Sequence, residues 1–143
     1  MSVAEKIRDD ARAALKDGDR KRASALRMVQ DVLQQETKLG KGDEIGALQR
    51  ERKKRIEAAE AFADAGRYEQ AEAERFEAEL ITAYLPAQLS DEELAELVKD
   101  AITESGATEP KQMGQVMSLL KEKVAGRADG KRVSTEVRAQ LGA

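Results

Sequence analysis

Apolar residues recur at helical spacing along most of the chain, and glycines, prolines and capping residues interrupt them at regular intervals. Ser2 with Glu5 has capping-box spacing and opens a helix expected from about Val3 to Lys16, ended by Gly18. Asp19 caps a second helix with Leu26, Val29 and Leu33 on one face, reaching about Lys38. Gly40-Lys41-Gly42 breaks the pattern, and Asp43 caps a third helix from Glu44. Its apolar seam is Ile45, Leu48, Ile56, Ala59 and Phe62, and Gly66 closes it. A fourth, from about Tyr68, carries Phe76, Leu80, Ile81, Tyr84 and Leu85 up to Pro86, which cannot continue a helix. The third and fourth helices are expected to form a hairpin.

Pro86-Ala87-Gln88-Leu89 reads as a linker, because a second capping box, Ser90 with Glu93, at once starts a helix carrying Leu94, Leu97, Val98 and Ala101. The boundary is placed near Leu89, giving domains 1–89 and 90–143. Beyond Gly106, a helix opening around Pro110 carries Met113, Val116, Leu120 and Val124. After Gly126, a last helix capped by Asp129 carries Val133, Val137 and Leu141. No segment alternates like a strand. The expected fold is all-α: an N-terminal helical domain with a long helical hairpin, followed by a small C-terminal three-helix domain.

Composition narrows the chemistry. The 143 residues include no Cys and no His, which removes disulfides, thiolate nucleophiles, the commonest general base and the usual zinc ligands, so neither cofactor nor metal is expected. Aromatic residues are only 3% of the chain, so the core must be built from Leu, Ile, Val, Met and Ala. Charges fall every few residues from Met1 to Asp10, and no apolar run is long enough to span a bilayer; a cytoplasmic protein without a membrane partner is expected. The net charge of −3 argues against a surface that coats nucleic acid throughout. It is unevenly spread. From Ser90 to Pro110, seven acids (Asp91, Glu92, Glu93, Glu96, Asp100, Glu104, Glu109) face Lys99 alone. From Lys111 onward, seven bases (Lys111, Lys121, Lys123, Arg127, Lys131, Arg132, Arg138) face three acids.

Three features are candidates for binding. Gly126-Arg127-Ala128-Asp129-Gly130-Lys131-Arg132 has the look of a phosphate loop, but its glycines are separated by three residues instead of four, the magnesium-touching hydroxyl is missing, and it follows a helix. What remains is a helix start beside Arg127, Lys131 and Arg132, suited to a single phosphate; the alternative is a plain interhelical connection. Gly114 costs a helix about 1 kcal/mol relative to alanine. It shares a face with Ser118 and Lys121, so it either admits a sugar-phosphate backbone or lets another helix approach. The run Arg50-Glu51-Arg52-Lys53-Lys54-Arg55 is a possible secondary phosphate patch, but it reads first as a solvated face neutralised by Glu57, Glu60, Glu72, Glu74 and Glu77. No pair of carboxylates is isolated in an apolar setting for acid–base work, and nothing resembles a Ser-Lys amidase site.

With Tyr84-Leu85-Pro86-Ala87-Gln88-Leu89-Ser90, Met113-Gly114-Gln115-Val116-Met117, Gly126-Arg127-Ala128-Asp129-Gly130-Lys131, and Ala65-Gly66-Arg67 after Phe62, the chain resembles the YqeY-like family over nearly its whole length. That resemblance implies a helical domain followed by a small three-helix domain related to the tail of GatB, a subunit of the glutamine-dependent tRNA amidotransferase; similar domains are appended to some glutaminyl-tRNA synthetases. In those settings the domain holds tRNA and lacks the amidase centre, so the amidotransferase association is inherited from the larger enzyme. Carried over, the tRNA-contacting face is Gly114, Gln115 and Ser118 with Lys121, Arg127, Lys131 and Arg132. The expected function is a non-catalytic tRNA-binding module, with an aminoacyl-tRNA synthetase or amidotransferase as a possible protein partner. The alternative is an adaptor that docks on a translation enzyme through apolar helix faces; an amide-transferring enzyme is disfavoured by the missing Cys, His and Ser-Lys pair.

Overall fold

The computed structural model describes residues 2–40 and 42–142. Lys41, in the expected break between the second and third helices, and Met1 lie outside the described residues. The fold is all-α. Helices α1 (Val3–Lys16), α2 (Arg20–Lys38), α3 (Glu44–Asp64) and α4 (Tyr68–Thr82) precede α5 (Asp91–Ser105), a short 3-10 turn (Pro110–Gln112), α6 (Met113–Lys123) and α7 (Gly130–Leu141). Local chemistry sets most of these limits. Ser2 and Ser90 both form complete capping boxes, with Glu5 and Glu93, and Asp19, Asp43 and Asp129 accept backbone N–H groups at the starts of α2, α3 and α7. No described helix is long and apolar enough to cross a membrane.

The end of α4 departs from expectation. The helix stops at Thr82, so Tyr84 and Leu85 lie outside it. The Tyr84 and Leu85 N–H groups donate to Ile81 and Thr82 carbonyls, at 2.9 and 3.1 Å, closing tight turns. Thr82 is held on both sides: its hydroxyl donates to the Ala78 carbonyl and accepts from Arg52 Nε at 2.7 Å. Tyr84 turns to α1, where its hydroxyl donates to the Asp10 carboxylate. Burial, then that hydrogen bond and charge, push the phenol well above its ordinary pKa. The helix thus stops at the residue whose carbonyl the Pro86 ring would meet, and Tyr84 beyond it reaches α1.

The chain divides into two compact units, Met1–Leu85 and Pro86–Ala143. In the first, Ile7, Leu26, Val29, Leu33, Leu48, Leu80 and Ile81 form the core among α1 to α4, with several buried alanines. Ala59 and Ala71, 1% and 0% exposed, seal the far part of the α3–α4 hairpin, where small side chains let the helices approach closely. In the second, Leu94, Val98, Ala101, Val116, Leu120, Val133, Val137 and Leu141 from α5, α6 and α7 meet in one cluster that also includes Leu89. The division falls four residues before Leu89, because that residue is buried with the second unit and its N–H donates to the Arg127 carbonyl at 2.8 Å. Of Pro86–Leu89, expected as a linker, Pro86 and Ala87 are exposed and Leu89 is anchored in the second unit.

Leu120 is fully buried whereas Leu39 is 66% exposed. Leu120→Ala should cost about 2–5 kcal/mol of stability, and Leu39→Ala no more than about 0.5 kcal/mol. Urea unfolding of both variants, read as a shift in midpoint at unchanged slope, checks the assignment of the core.

Candidate nucleic-acid interface

Helix α6 is launched by the 3-10 turn, where the Gln112 side-chain oxygen accepts from the Thr108 and Glu109 N–H groups at 2.7 and 3.2 Å. That clamp turns Val116 and Leu120 into the core. Gly114, Gln115, Ser118 and Lys121 are left exposed. A Cβ placed on Gly114 would meet nothing within 4 Å, so close helix packing is not the reason for the glycine. The backbone there is ordinary helix, so a positive φ does not require it either. The Ser118 hydroxyl donates to the Gly114 carbonyl at 3.0 Å. Lys121 makes no ion pair among the described residues. The result is a bare strip of backbone on a helix surface, bordered by a hydroxyl, an amide and a free ammonium group.

The α6–α7 turn is organised differently. Gly126 takes a positive φ of 74° and is buried, a combination a side chain would strain. Its carbonyl accepts from the Gln88 amide at 2.8 Å. Asp129 caps the Arg132 N–H at 2.8 Å, so a carboxylate of the chain already occupies the positive end of α7. Arg127 donates to the carbonyls of Ala87 and Lys123 at 3.4 and 3.5 Å. Arg132 donates to the Leu89 carbonyl at 3.0 Å and to Asp91 at 2.9 Å. Both arginines, expected as phosphate ligands, thus bind the Pro86–Asp91 segment or the end of α6, and Lys131 remains exposed and unpaired among the described residues. Arg138, in the last turn of α7, is likewise exposed and unpaired; it was counted among the C-terminal bases but had no motif to single it out.

On α3 two of the five bases in the run, Arg50 and Arg55, pair with acids of the first unit. Arg50 pairs with Glu36 at 3.0 Å, and Arg52 is held by Thr82. Arg55 sits among Glu51, Glu74 and Glu77, the last two at 3.3 and 3.2 Å. Glu51, the acid inside the run, is buried, as is Glu36. Lys53 and Lys54 stay exposed without ion pairs among the described residues. No group of three or more acidic side chains among the described residues is arranged to hold a metal ion.

Comparison with known protein families matches residues 4–141 to the Yqey-like protein family. The chain belongs to that family. The match runs through both compact units, so the YqeY-like sequence pattern extends over the α3–α4 hairpin as well as the small C-terminal bundle. Among curated proteins no match was found.

Three carboxylates share one guanidinium in this YqeY-like hairpin, and Glu77 bears the consequence. Burial, then repulsion from Glu74 and Glu51, outweigh the attraction of Arg55 and raise its pKa above the ordinary 4.5. A carboxyl group shifted upward by folding supports the folded state fully below its unfolded pKa, and that support is lost as pH rises through the folded value. Glu77→Gln should therefore melt at a higher temperature than the parent at neutral pH, with the gap closing below about pH 4.5. Thermal melts followed by circular dichroism across that range check both the sign and the window.

Proposed function

We propose that this YqeY-like protein is a non-catalytic tRNA-binding module, gripping phosphates and sugar edges with the exposed α6 face of its C-terminal domain. The observation that carries the reading is Gly114: neither core packing nor backbone conformation asks for a glycine, yet one stands where the helix faces solvent. Leaving out a side chain on an exposed helix costs stability, and it lets another backbone approach. Ser118 and Lys121 beside it suit a sugar-phosphate chain, whose phosphates draw on cations and whose 2′-hydroxyls draw on polar side chains. Lys131 and Lys121 are the cations to which this reading gives the phosphate contacts; Arg127 and Arg132 support the turn. The relation of the family to the tRNA-holding tail of GatB points the same way. On this reading the protein works in the cytoplasm, with an aminoacyl-tRNA synthetase or amidotransferase as its protein neighbour.

Titrating the purified protein with bulk tRNA over a range of salt, beside duplex DNA of matched charge, tests this. Tighter binding of tRNA is expected. Lys121→Ala with Lys131→Ala should weaken it and lower the slope of log affinity against log salt by about 1 per lysine. Gly114→Leu, whose Cβ would meet nothing within 4 Å at this exposed position, should weaken binding while leaving the fold intact by circular dichroism. Equal affinity for DNA, or indifference to all three changes, overturns the reading.

A further inference from the structure

A second surface of the C-terminal unit has the opposite character. Between α5 and the α6–α7 turn lies a cleft of about 270 Å³, lined by Leu89, Glu93, Glu96, Leu97 and Arg127. Its apolar floor comes from Leu89, which is buried, and Leu97, which is half-buried although it belongs to an otherwise charged side of its helix. At 3.6 residues per turn, Glu93, Glu96, Leu97, Asp100 and Glu104 fall within one sector of about 100° on α5, beside the buried line of Leu94, Val98 and Ala101.

The acids on this sector are not neutralised as those of the hairpin are. Glu104 pairs with Lys123 at 3.4 Å. Glu93 closes the capping box, and its hydrogen bonds from Ser90 keep it ionised by holding its pKa below the ordinary value. Glu96 and Asp100 are exposed and have no ion pair among the described residues. Arg127, the base in the lining, directs its donors to the Ala87 and Lys123 carbonyls, and its charge also attracts Glu93, which leaves Glu96 and Asp100 as the acids with no basic neighbour bound to them among the described residues.

We infer that this cleft docks a basic amphipathic helical segment of a partner protein, seating one apolar side chain on Leu97 and Leu89 while its Lys or Arg residues meet Glu93, Glu96 and Asp100. Charge selects the occupant. A nucleic acid is repelled by these carboxylates, and an acidic or uncharged segment would cover them without supplying counter-charge. A helix with basic residues flanking an apolar anchor satisfies both parts of the surface. The site lies on a different helix from the proposed tRNA face and does not depend on that reading.

The test uses the full chain and two labelled synthetic peptides of about 15 residues with the same amphipathic spacing of Leu, one carrying Lys and the other Glu at the polar positions. Fluorescence anisotropy should show the Lys peptide binding, more weakly as salt rises, and the Glu peptide not binding. Glu96→Lys with Asp100→Lys should weaken the Lys peptide by about tenfold or more, and Leu97→Gln by several-fold with the helical content retained. Glu57→Lys with Glu60→Lys, the same charge change at exposed positions of α3, should leave affinity within about twofold of the parent. Failure of the Lys peptide to bind, equal binding of the Glu peptide, or equal losses from the two charge-reversing pairs overturns the inference.

Discussion

The C-terminal unit depends on the attachment of its entering segment to the turn between α6 and α7. Within that turn the Arg127 N–H pairs with the Val124 carbonyl at 2.8 Å, whereas the carbonyls of Gly126 and Arg127 take their donors from outside it. Gln88 and Leu89 supply the missing donors to Gly126 and Arg127. In return, Arg127 and Arg132 satisfy the Ala87 and Leu89 carbonyls. Buried main-chain polar groups must be paired somewhere, and here each segment completes the other. Leu89 is delivered into the apolar cluster by the same exchange, so the edge of the core, the start of α5 and the orientation of α7 are set together.

This exchange also explains which parts of the molecule were legible in its sequence. Capping boxes and αL glycines act over three or four residues, and the limits of α1, α2, α3, α5 and α7 were readable from Ser2, Asp19, Asp43, Ser90, Gly106 and Asp129. Arg127 and Arg132 carried the right charge for phosphate, but each also donates to a main-chain carbonyl some forty positions away, Ala87 and Leu89, and carbonyls are groups that every residue possesses. Composition carries no trace of such a partner. The end of α4 was placed too late: the Pro86 ring bears on the carbonyl four residues before it, that of Thr82, where the helix stops, and the contact of Tyr84 with Asp10 spans most of the unit's sequence. Gly114 stood between. Its oddness was visible in the pattern, but only the empty space above it separated exposure from packing.

The two units handle charge in different ways. Along the hairpin, arginines and glutamates are brought together as partly buried pairs, and Arg55 is shared among three acids. Such clusters fix the register of packed helices but leave few charges for an outside partner, apart from Lys53 and Lys54. In the C-terminal unit the ion pairs are few and mostly exposed, as with Lys123–Glu104 and Arg132–Asp91. Exposed pairs contribute little stability. The free ions there, Lys121 and Lys131 on one hand and Glu96 and Asp100 on the other, are held by an apolar core that does not need them.

A small bundle that separates stability from surface charge in this way can present fields of opposite sign on different helices. Acids from Ser90 to Pro110 confined to α5 and its neighbouring loop leave α6 available to an anion, provided the two faces are more than a screening length apart or turned from one another. Within the unit α5 and α6 each give their apolar side to the same cluster and their polar sides to solvent, and the two polar sides meet at the Lys123–Glu104 pair. The core of Leu, Val and Ala therefore does more than hold three helices together: it fixes which side of each helix is buried and which side, with its charges, is offered to solvent.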